Sequence, residues 1–312
     1  MEKKVAVIAG AAGFIGSHLS ETLIQRGVQV IGIDNFVTGS LENIEYLSQY
    51  SDFEFVEHDI GKPINISGKV DYVFDFACPA SPPDFVKLKM AILNAGCFGL
   101  YNLLELARTK TARFIFSSSS EVYGDPEQNP QVESYNGNVN ITGIRSIYDE
   151  SKRYGETMSL TFKREYNLPV RIVRIFNTYG ERMRKDDGRA IPTFINQALI
   201  NADLTVFGNG SQTRSPQYVS DLVNGVLLLA DSDVEVPVNI GNPEEISMHD
   251  LALKIRELAA SQSEIIYQEL PEHDPKVRKP DITRAKTLLG WEPKVGMTEG
   301  LTRTINWFKS KA

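Results

Sequence analysis

Gly10-Ala11-Ala12-Gly13-Phe14-Ile15-Gly16 stands between an apolar run, Val5-Ala6-Val7-Ile8-Ala9, and a segment from Phe14 to Gln25. In that segment Ile15, Leu19, Leu23 and Ile24 recur at helical spacing. A strand that turns through glycines into a helix makes an anion site. The glycines let the backbone turn tightly and approach a phosphate closely. The helix start offers unpaired N–H groups and the positive end of its dipole.

Asp34 closes the next apolar run, Val28 to Ile33, about 20 residues further on, where a dinucleotide fingerprint places a carboxylate for the ribose hydroxyls. Its neighbours Asn35 and Phe36 bring no arginine for an extra phosphate, so NAD is the expected cofactor. Gly10, Gly13, Phe14, Ile15, Gly16 and Gly39 are counted with Asp34 as its binding residues. Asp59-Ile60, after the run Phe53 to Val56, suits the adenine edge or a plain turn. Phe76-Ala77 after Tyr72 to Phe76, together with Cys78 and Ser117, is expected on the nicotinamide side.

Outward from this turn, short apolar runs alternate with helical patterns. Arg113 to Phe116 is a further strand, and Phe85 to Arg108 fits one long helix before it. Such alternation predicts parallel strands with helices on both faces, which permits continuously apolar strands such as Phe114-Ile115-Phe116. The expected fold is α/β: a Rossmann-type doubly wound parallel sheet with a smaller C-terminal substrate-binding lobe. Residues 1–180 would form the NAD-binding domain with the catalytic residues. Residues 181–312 would form mainly the lobe, with some segments returning to the sheet. Beyond Tyr148 a helix from Ile147 to Tyr166 precedes the strand Val170 to Phe176. Short strands (Leu204 to Val206, Pro237 to Ile240) then mix with helices (Gln217 to Ala230, Met248 to Ala260, Thr298 to Phe308).

The 312 residues are 42% hydrophobic, enough for a full core, and the formal net charge is −7. An acidic chain is a poor general binder of nucleic acid. Cys78 and Cys97 lie in apolar surroundings without CxxC spacing and are expected to be buried small hydrophobes in a reducing compartment. His18, His58, His249 and His273 are scattered, so no metal site is expected. No signal peptide or membrane-length apolar run is apparent, and a cytoplasmic protein is expected.

Tyr148 and Lys152 are spaced by about one helical turn, so both side chains face the same way. A neighbouring ammonium favours an ionised phenol, which can take a proton from an alcohol as hydride leaves. Ser117-Ser118-Ser119-Ser120-Glu121 follows the strand ending at Phe116 and opens toward the ligand crevice. Ser119 is placed to hold the reacting hydroxyl, and Glu121 to move a proton.

With Ala77-Cys78-Pro79-Ala80-Ser81-Pro82-Pro83, Ser120-Glu121-Val122-Tyr123-Gly124-Asp125-Pro126 and Tyr148-Asp149-Glu150-Ser151-Lys152-Arg153, the chain resembles the extended short-chain dehydrogenases and, within them, the UDP-glucuronate decarboxylases. Arg174 to Gly180, Asp187-Gly188-Arg189, Gly210 to Arg214 and Arg278-Lys279-Pro280-Asp281-Ile282 extend the resemblance over nearly the whole length. The resemblance implies a catalytic set of Tyr148, Lys152, Ser119, Ser120, Glu121 and Arg278. Tyr148 would deprotonate the carbon 4 hydroxyl of the sugar while hydride passes to NAD. Carbon dioxide would leave from the resulting β-keto acid, and hydride would return. Glu121 and Ser120 would handle the ring and reprotonate carbon 5. Arg278 would lie near the sugar carboxylate, and Pro79, Asn177, Arg189 and Arg214 would bind the UDP-sugar. A guanidinium fork suits a diphosphate.

Asn136, Thr142, Ile144, Glu181 and Ser215-Pro216 depart from the family pattern around the expected sugar pocket. Sister reactions on UDP- or dTDP-sugars, 4-epimerisation or 4,6-dehydration, are the nearest alternatives. A non-enzymatic NAD-binding regulator is a further one, and it would be expected to lose Tyr148 or Lys152. The family implies a homodimer through the two long helices; Leu100, Leu103, Leu104, Met158 and Leu160 fit either that bundle or packing on the sheet.

Overall fold

The computed structural model describes residues 2–269 and 277–311; His273 lies outside them. The first half runs β1 (Val5–Ala9), α1 (Phe14–Gln25), β2 (Gln29–Asp34), α2 (Leu41–Leu47), β3 (Phe53–Glu57), β4 (Tyr72–Asp75), α3 (Pro82–Lys87), α4 (Lys89–Asn94), α5 (Leu100–Lys110), β5 (Arg113–Ser119) and α6 (Ser146–Tyr166). The second runs β6 (Val170–Ile175), β7 (Thr178–Tyr179), α7 (Ala190–Leu199), β8 (Leu204–Phe207), β9 (Thr213–Arg214), β10 (Gln217–Tyr218), α8 (Val219–Asp231) and β11 (Val238–Ile240). It ends with β12 (Ile246–Ser247), α9 (Met248–Ala259), β13 (Ile265–Gln268), α10 (Thr283–Leu289) and α11 (Met297–Ser310).

Seven strands form one parallel sheet in the order β11-β6-β5-β4-β1-β2-β3. The order reverses direction between β1 and β4, which opens a crevice at their carboxyl ends. Because side chains alternate along a strand, each strand feeds two cores. Ala6, Ile8, Val30, Phe74, Ile115 and Val173 pack under α1 and α8 on one face, in a core that continues into α7, α9 and α11. Val7, Ala9, Ile33, Val73, Phe114, Phe116 and Ile172 pack under α5 and α6 on the other. Burial on both faces is why these strands read as unbroken apolar runs. β11 is the edge strand that the second half returns to the sheet, while β8 and β13 pair separately from it.

Helix α6 lies directly on β5. Gly155 rests on the Phe116 ring, and a β-carbon there would collide with the ring's Cζ. A buried polar chain pins the same helix to the sheet beside this contact. The Arg174 fork donates to both oxygens of Glu156 at 2.8 Å, Ser118 Oγ donates to Glu156 Oε1 at 2.5 Å, and Arg174 Nη1 donates to the Tyr123 hydroxyl at 2.9 Å. Tyr123 in turn donates to Asn239 Oδ1 on β11 at 2.8 Å. Helix, three strands and the turn after β5 are thereby tied together.

The structure corrects several boundaries. The expected single helix Phe85 to Arg108 begins at Pro82, breaks at Leu88 and carries a π-helical turn at Ala95–Gly99. Gly96 in that turn sits 2.7 Å, by a hypothetical β-carbon, from Ser151 Cβ, and Gly99 2.5 Å from Ile60 Cδ1, so the local widening follows close packing against α6 and the loop after β3. The stretch Lys89–Lys110 is apolar and long enough to cross a membrane, which the reading of the sequence missed; here Leu100, Leu103 and Leu104 are fully buried under the sheet. Those leucines therefore face the core, not a partner. Ser117, Ser118 and Ser119 belong to strand β5 rather than to a loop after it, because they pair with β6 as far as Ile175. Gln217-Tyr218 form a short strand before α8 instead of its first turn. Cys78 and Cys97 are only partly buried.

Candidate active site

A crevice of about 420 Å³ opens over the carboxyl ends of β1, β2, β4, β5 and β6. One wall is the glycine turn: Gly10, Gly13, Phe14, Ile15 and Gly16 line it. Gly10 has φ +83°, and a β-carbon on it would strike the Phe76 carbonyl oxygen; one on Gly16 would strike that of Gly10. No side chain caps the start of α1, whose N-cap is Gly13. Its first N–H groups are thus left for an anion. Asp34 is held by N–H groups of Ala12 at 3.0 Å and Phe36 at 2.8 Å, one to each carboxylate oxygen. Burial raises its pKa against those bonds, and each oxygen retains a free lone pair for a hydroxyl donor.

Asn35, Asp59, Ile60, Phe76, Ala77, Cys78, Pro79, Ser117 and Asn177 also line the crevice. Asp59 accepts from the Gly61 N–H at 2.9 Å, so it closes a turn as well as facing the crevice. Phe36, Gly39, Arg214 and Arg278 lie outside the lining. Gly39 supports from behind, since a β-carbon there would press on Ala12 and on Asp34 Oδ1 at 2.9 Å. Phe36 adopts φ +57° to place its N–H on Asp34 and packs against Phe55. Arg214 Nη1 donates to the Thr213 carbonyl in the β9–β12 pair, away from the crevice. These residues fit a dinucleotide, with the pyrophosphate at the turn and a ribose at Asp34.

Tyr148 and Lys152 lie one turn apart on α6, and both reach the crevice. Lys152 Nζ donates to the Ser117 carbonyl oxygen at 2.8 Å and stands 5.6 Å from the Tyr148 ring centroid. Burial pulls its pKa down, but Cys78, Tyr148 and Asp75 together raise it, so it is an ammonium. The phenol does not behave as Lys152 alone predicts. Burial raises its pKa more than Lys152 and a hydrogen bond with Ser119 lower it, so Tyr148 is protonated in this state. Phe85 stacks on the phenol with centroids 5.2 Å apart and fixes its plane. Burial likewise pushes the Cys78 thiol up to about 11.

The 3₁₀ turn Ser120–Tyr123 presents Glu121, and Ser119 Oγ caps it by accepting the Glu121 N–H at 3.2 Å. Arg145 Nη2 donates to Glu121 Oε2 at 2.7 Å, while Arg278 pairs with the other oxygen. Arg278, 4% exposed, also reaches Ser120 Oγ at 3.3 Å and the Gly124 carbonyl at 3.2 Å. Burial alone would raise the Glu121 carboxyl, but Arg278 and Arg145 outweigh it and hold its pKa down at about 2. Glu121 is therefore held as a carboxylate by its two guanidinium neighbours. The carboxyl that titrates near neutrality is Asp149, pushed up to about 7 by burial and by the Glu121 charge.

At the far end Arg189 Nη2 donates to the Ala80 carbonyl at 3.0 Å, with Nε 3.4 Å from Asp187. Reasoning from sequence missed Arg145, Asp149, Asp84 and Arg184. Arg145 precedes Tyr148 by one helical turn, a spacing that could have flagged it. Arg184 carries no such mark, because its partners Asp84 and Ser81 lie far away in the chain.

A parallel sheet, a glycine turn at its carboxyl edge and a tyrosine–lysine pair facing that turn define a dehydrogenase-type site. The chain matches the family described as GDP-mannose 4,6 dehydratase over residues 7–304. UDP-glucuronic acid decarboxylase 1 of Xenopus tropicalis is 46% identical over 310 residues, covering 99% of this chain and 73% of that protein. UDP-glucuronic acid decarboxylase 2 of Arabidopsis thaliana is 47% identical, over 98% of this chain and 68% of the plant protein. Among solved structures, UDP-glucuronic acid 4-epimerase from Bacillus cereus, in complex with UDP-glucuronic acid and NAD, has a TM-score of 0.89 at 27% identity and covers 99% of this chain and 100% of its own. UDP-glucose 4-epimerase from Thermotoga maritima has a TM-score of 0.89 at 28% identity, with 98% and 99% covered. The chain belongs to the extended short-chain dehydrogenase/reductase family, in the group of the UDP-glucuronic acid decarboxylases.

Proposed function

We infer that this chain removes carbon dioxide from UDP-glucuronate to give UDP-xylose, with NAD retained and regenerated in each cycle. The observation that carries this reading is the Glu121–Arg278 pair beside Tyr148, in a chain whose relatives along its whole length are named as decarboxylases. A bound dinucleotide supplies a reversible hydride acceptor. Tyr148, aligned by Phe85, must first give up its own proton; as a phenolate it takes the carbon 4 hydroxyl proton, and Ser119 shares the hydrogen bond that fixes that hydroxyl. Lys152 favours the phenolate that accepts this proton, and the phenol is neutral once the proton has been taken. A ketone at carbon 4 lies β to the carboxylate, so the carbon–carbon bond can break with its electron pair entering an enolate.

Purified protein incubated with UDP-glucuronate should release carbon dioxide and yield a UDP-pentose. A product of unchanged mass would replace this reading by 4-epimerisation, and one lighter by water alone by dehydration.

A homodimer is part of the same reading. Met90 and Phe98 are 65% and 64% exposed, and Tyr101 and Tyr154 stand beside them on the outer face of α4 to α6. This apolar surface, rather than the buried Leu100, Leu103 and Leu104, would meet a second copy.

A further inference from the structure

We propose that Arg184 is a second guanidinium for the diphosphate of the nucleotide sugar, presented to it by Asp84 and Ser81; this rests on the reading that the ligand is a UDP-sugar. The crevice has two anionic groups to receive. The glycine turn serves the pyrophosphate of the dinucleotide, and a nucleotide sugar brings another diphosphate. The ammonium and guanidinium groups among the described lining residues are Lys152, Arg184 and Arg189. Lys152 is committed to the Ser117 carbonyl at the tyrosine end. That leaves two arginines of one loop, both held on the segment that follows β4.

Arg184 is built in rather than loosely placed. Its Nη2 donates to Asp84 Oδ2 at 2.8 Å and to Ser81 Oγ at 2.9 Å. Ser81 Oγ itself donates to Asp84 Oδ2 at 2.6 Å, and Ser81 and Asp84 are only 2% and 5% exposed. The Arg184 side chain keeps 27% of its surface. Among the described residues its close bonds fall on Nη2, with Nε 3.9 Å from the exposed Asp186, so most of its five N–H donors remain for a ligand. The loop also leans on the same segment through Gly188, whose φ of +77° brings it against Pro83, and through Arg189 on the Ala80 carbonyl. Two guanidinium forks held on one rigid support match a diphosphate's paired oxygens.

Calorimetric titration of the NAD-saturated protein with UDP and with uridine tests this, because the diphosphate is what differs between them. Arg184→Ala should weaken UDP by roughly tenfold or more, the worth of a charge-assisted bond, and leave uridine unchanged. Arg184→Lys should recover part of the loss, and Asp84→Asn should show a smaller loss confined to UDP. Equal weakening of UDP and uridine would reduce Arg184 to a structural strut, and unchanged UDP affinity would remove it from the site; either result overturns the proposal. Wild-type protein that binds UDP yet releases no carbon dioxide from UDP-glucuronate counts against the reaction alone. Absence of UDP binding to the wild type sinks both.

Discussion

Glu121 holds one carboxylate oxygen against Arg145 and the other against Arg278, so a side chain from the turn after β5 joins the start of α6 to a segment beyond residue 276. Glu121 lines the crevice, and behind it stands an ion triad drawn from three distant parts of the chain. Removing the Glu121 carboxylate leaves Arg278 buried without the charge that stands against it. Glu121→Gln should therefore lower thermal stability, and turnover of UDP-glucuronate should fall by more than the fraction of protein unfolded. Full activity in a stably folded Glu121→Gln protein would show that the triad does not serve the reaction.

Tyr148→Phe deletes the proton acceptor while keeping the Phe85 stack. Positioned acid–base groups contribute roughly 10²–10⁴-fold to rate. Turnover should fall by that factor, and NAD affinity, read by calorimetry, should stay within about twofold. Residual activity near wild type would remove the phenol from its assigned role.

Asp149 gives a pH signature. Its carboxyl titrates at about 7 in the folded chain because of burial and the Glu121 charge, against about 3.9 when unfolded. Between those values the folded protein holds a proton that the unfolded chain has lost, so stability must fall as pH rises through that window. The melting temperature of Asp149→Asn should fall less steeply between about pH 4 and 7 than that of the wild type. Parallel curves for the two proteins would contradict the placement of Asp149 beside Glu121.

Glu156 accepts both arms of Arg174 beneath α6. Breaking a buried pair on one side costs about 3–5 kcal/mol. Glu156→Ala should show that loss in denaturant unfolding, whereas a loss below about 1 kcal/mol would mean that water readily replaces the carboxylate.

Phe98→Glu puts a charge on the exposed apolar face of the π-helical segment. Light scattering should report a dimer for the wild type and a monomer for the variant. A wild-type monomer, or an unchanged dimer in the variant, would place the interface elsewhere or nowhere.

The sheet and the glycine turn were legible because they depend on local pattern: apolar runs, helical spacing and a carboxylate closing β2. Tyr148 and Lys152 were legible for the same reason, since one helical turn sets their geometry. What escaped was set by distance in the chain and by electrostatic balance. Spacing cannot show that Arg184 meets Asp84, nor that Glu121 is gripped from both sides. Nor does a neighbouring lysine reveal the net direction of the Tyr148 pKa, because burial works against it. The strand reads as ending at Phe116 because its apolar run stops there, yet Ser117 to Ser119 continue it and Ser118 is buried to donate to Glu156.

The bare α-carbon at Gly155 has a practical consequence. It lets the helix that bears the reactive phenol settle onto the Phe116 ring with no spacer between them. Even alanine at this position would act as a shim, lifting Tyr148 and Lys152 together off β5 without altering either. Any effort to retune this enzyme by randomising its surroundings has, in position 155, a site where one added methyl group would misalign chemistry that every reactive residue still possesses.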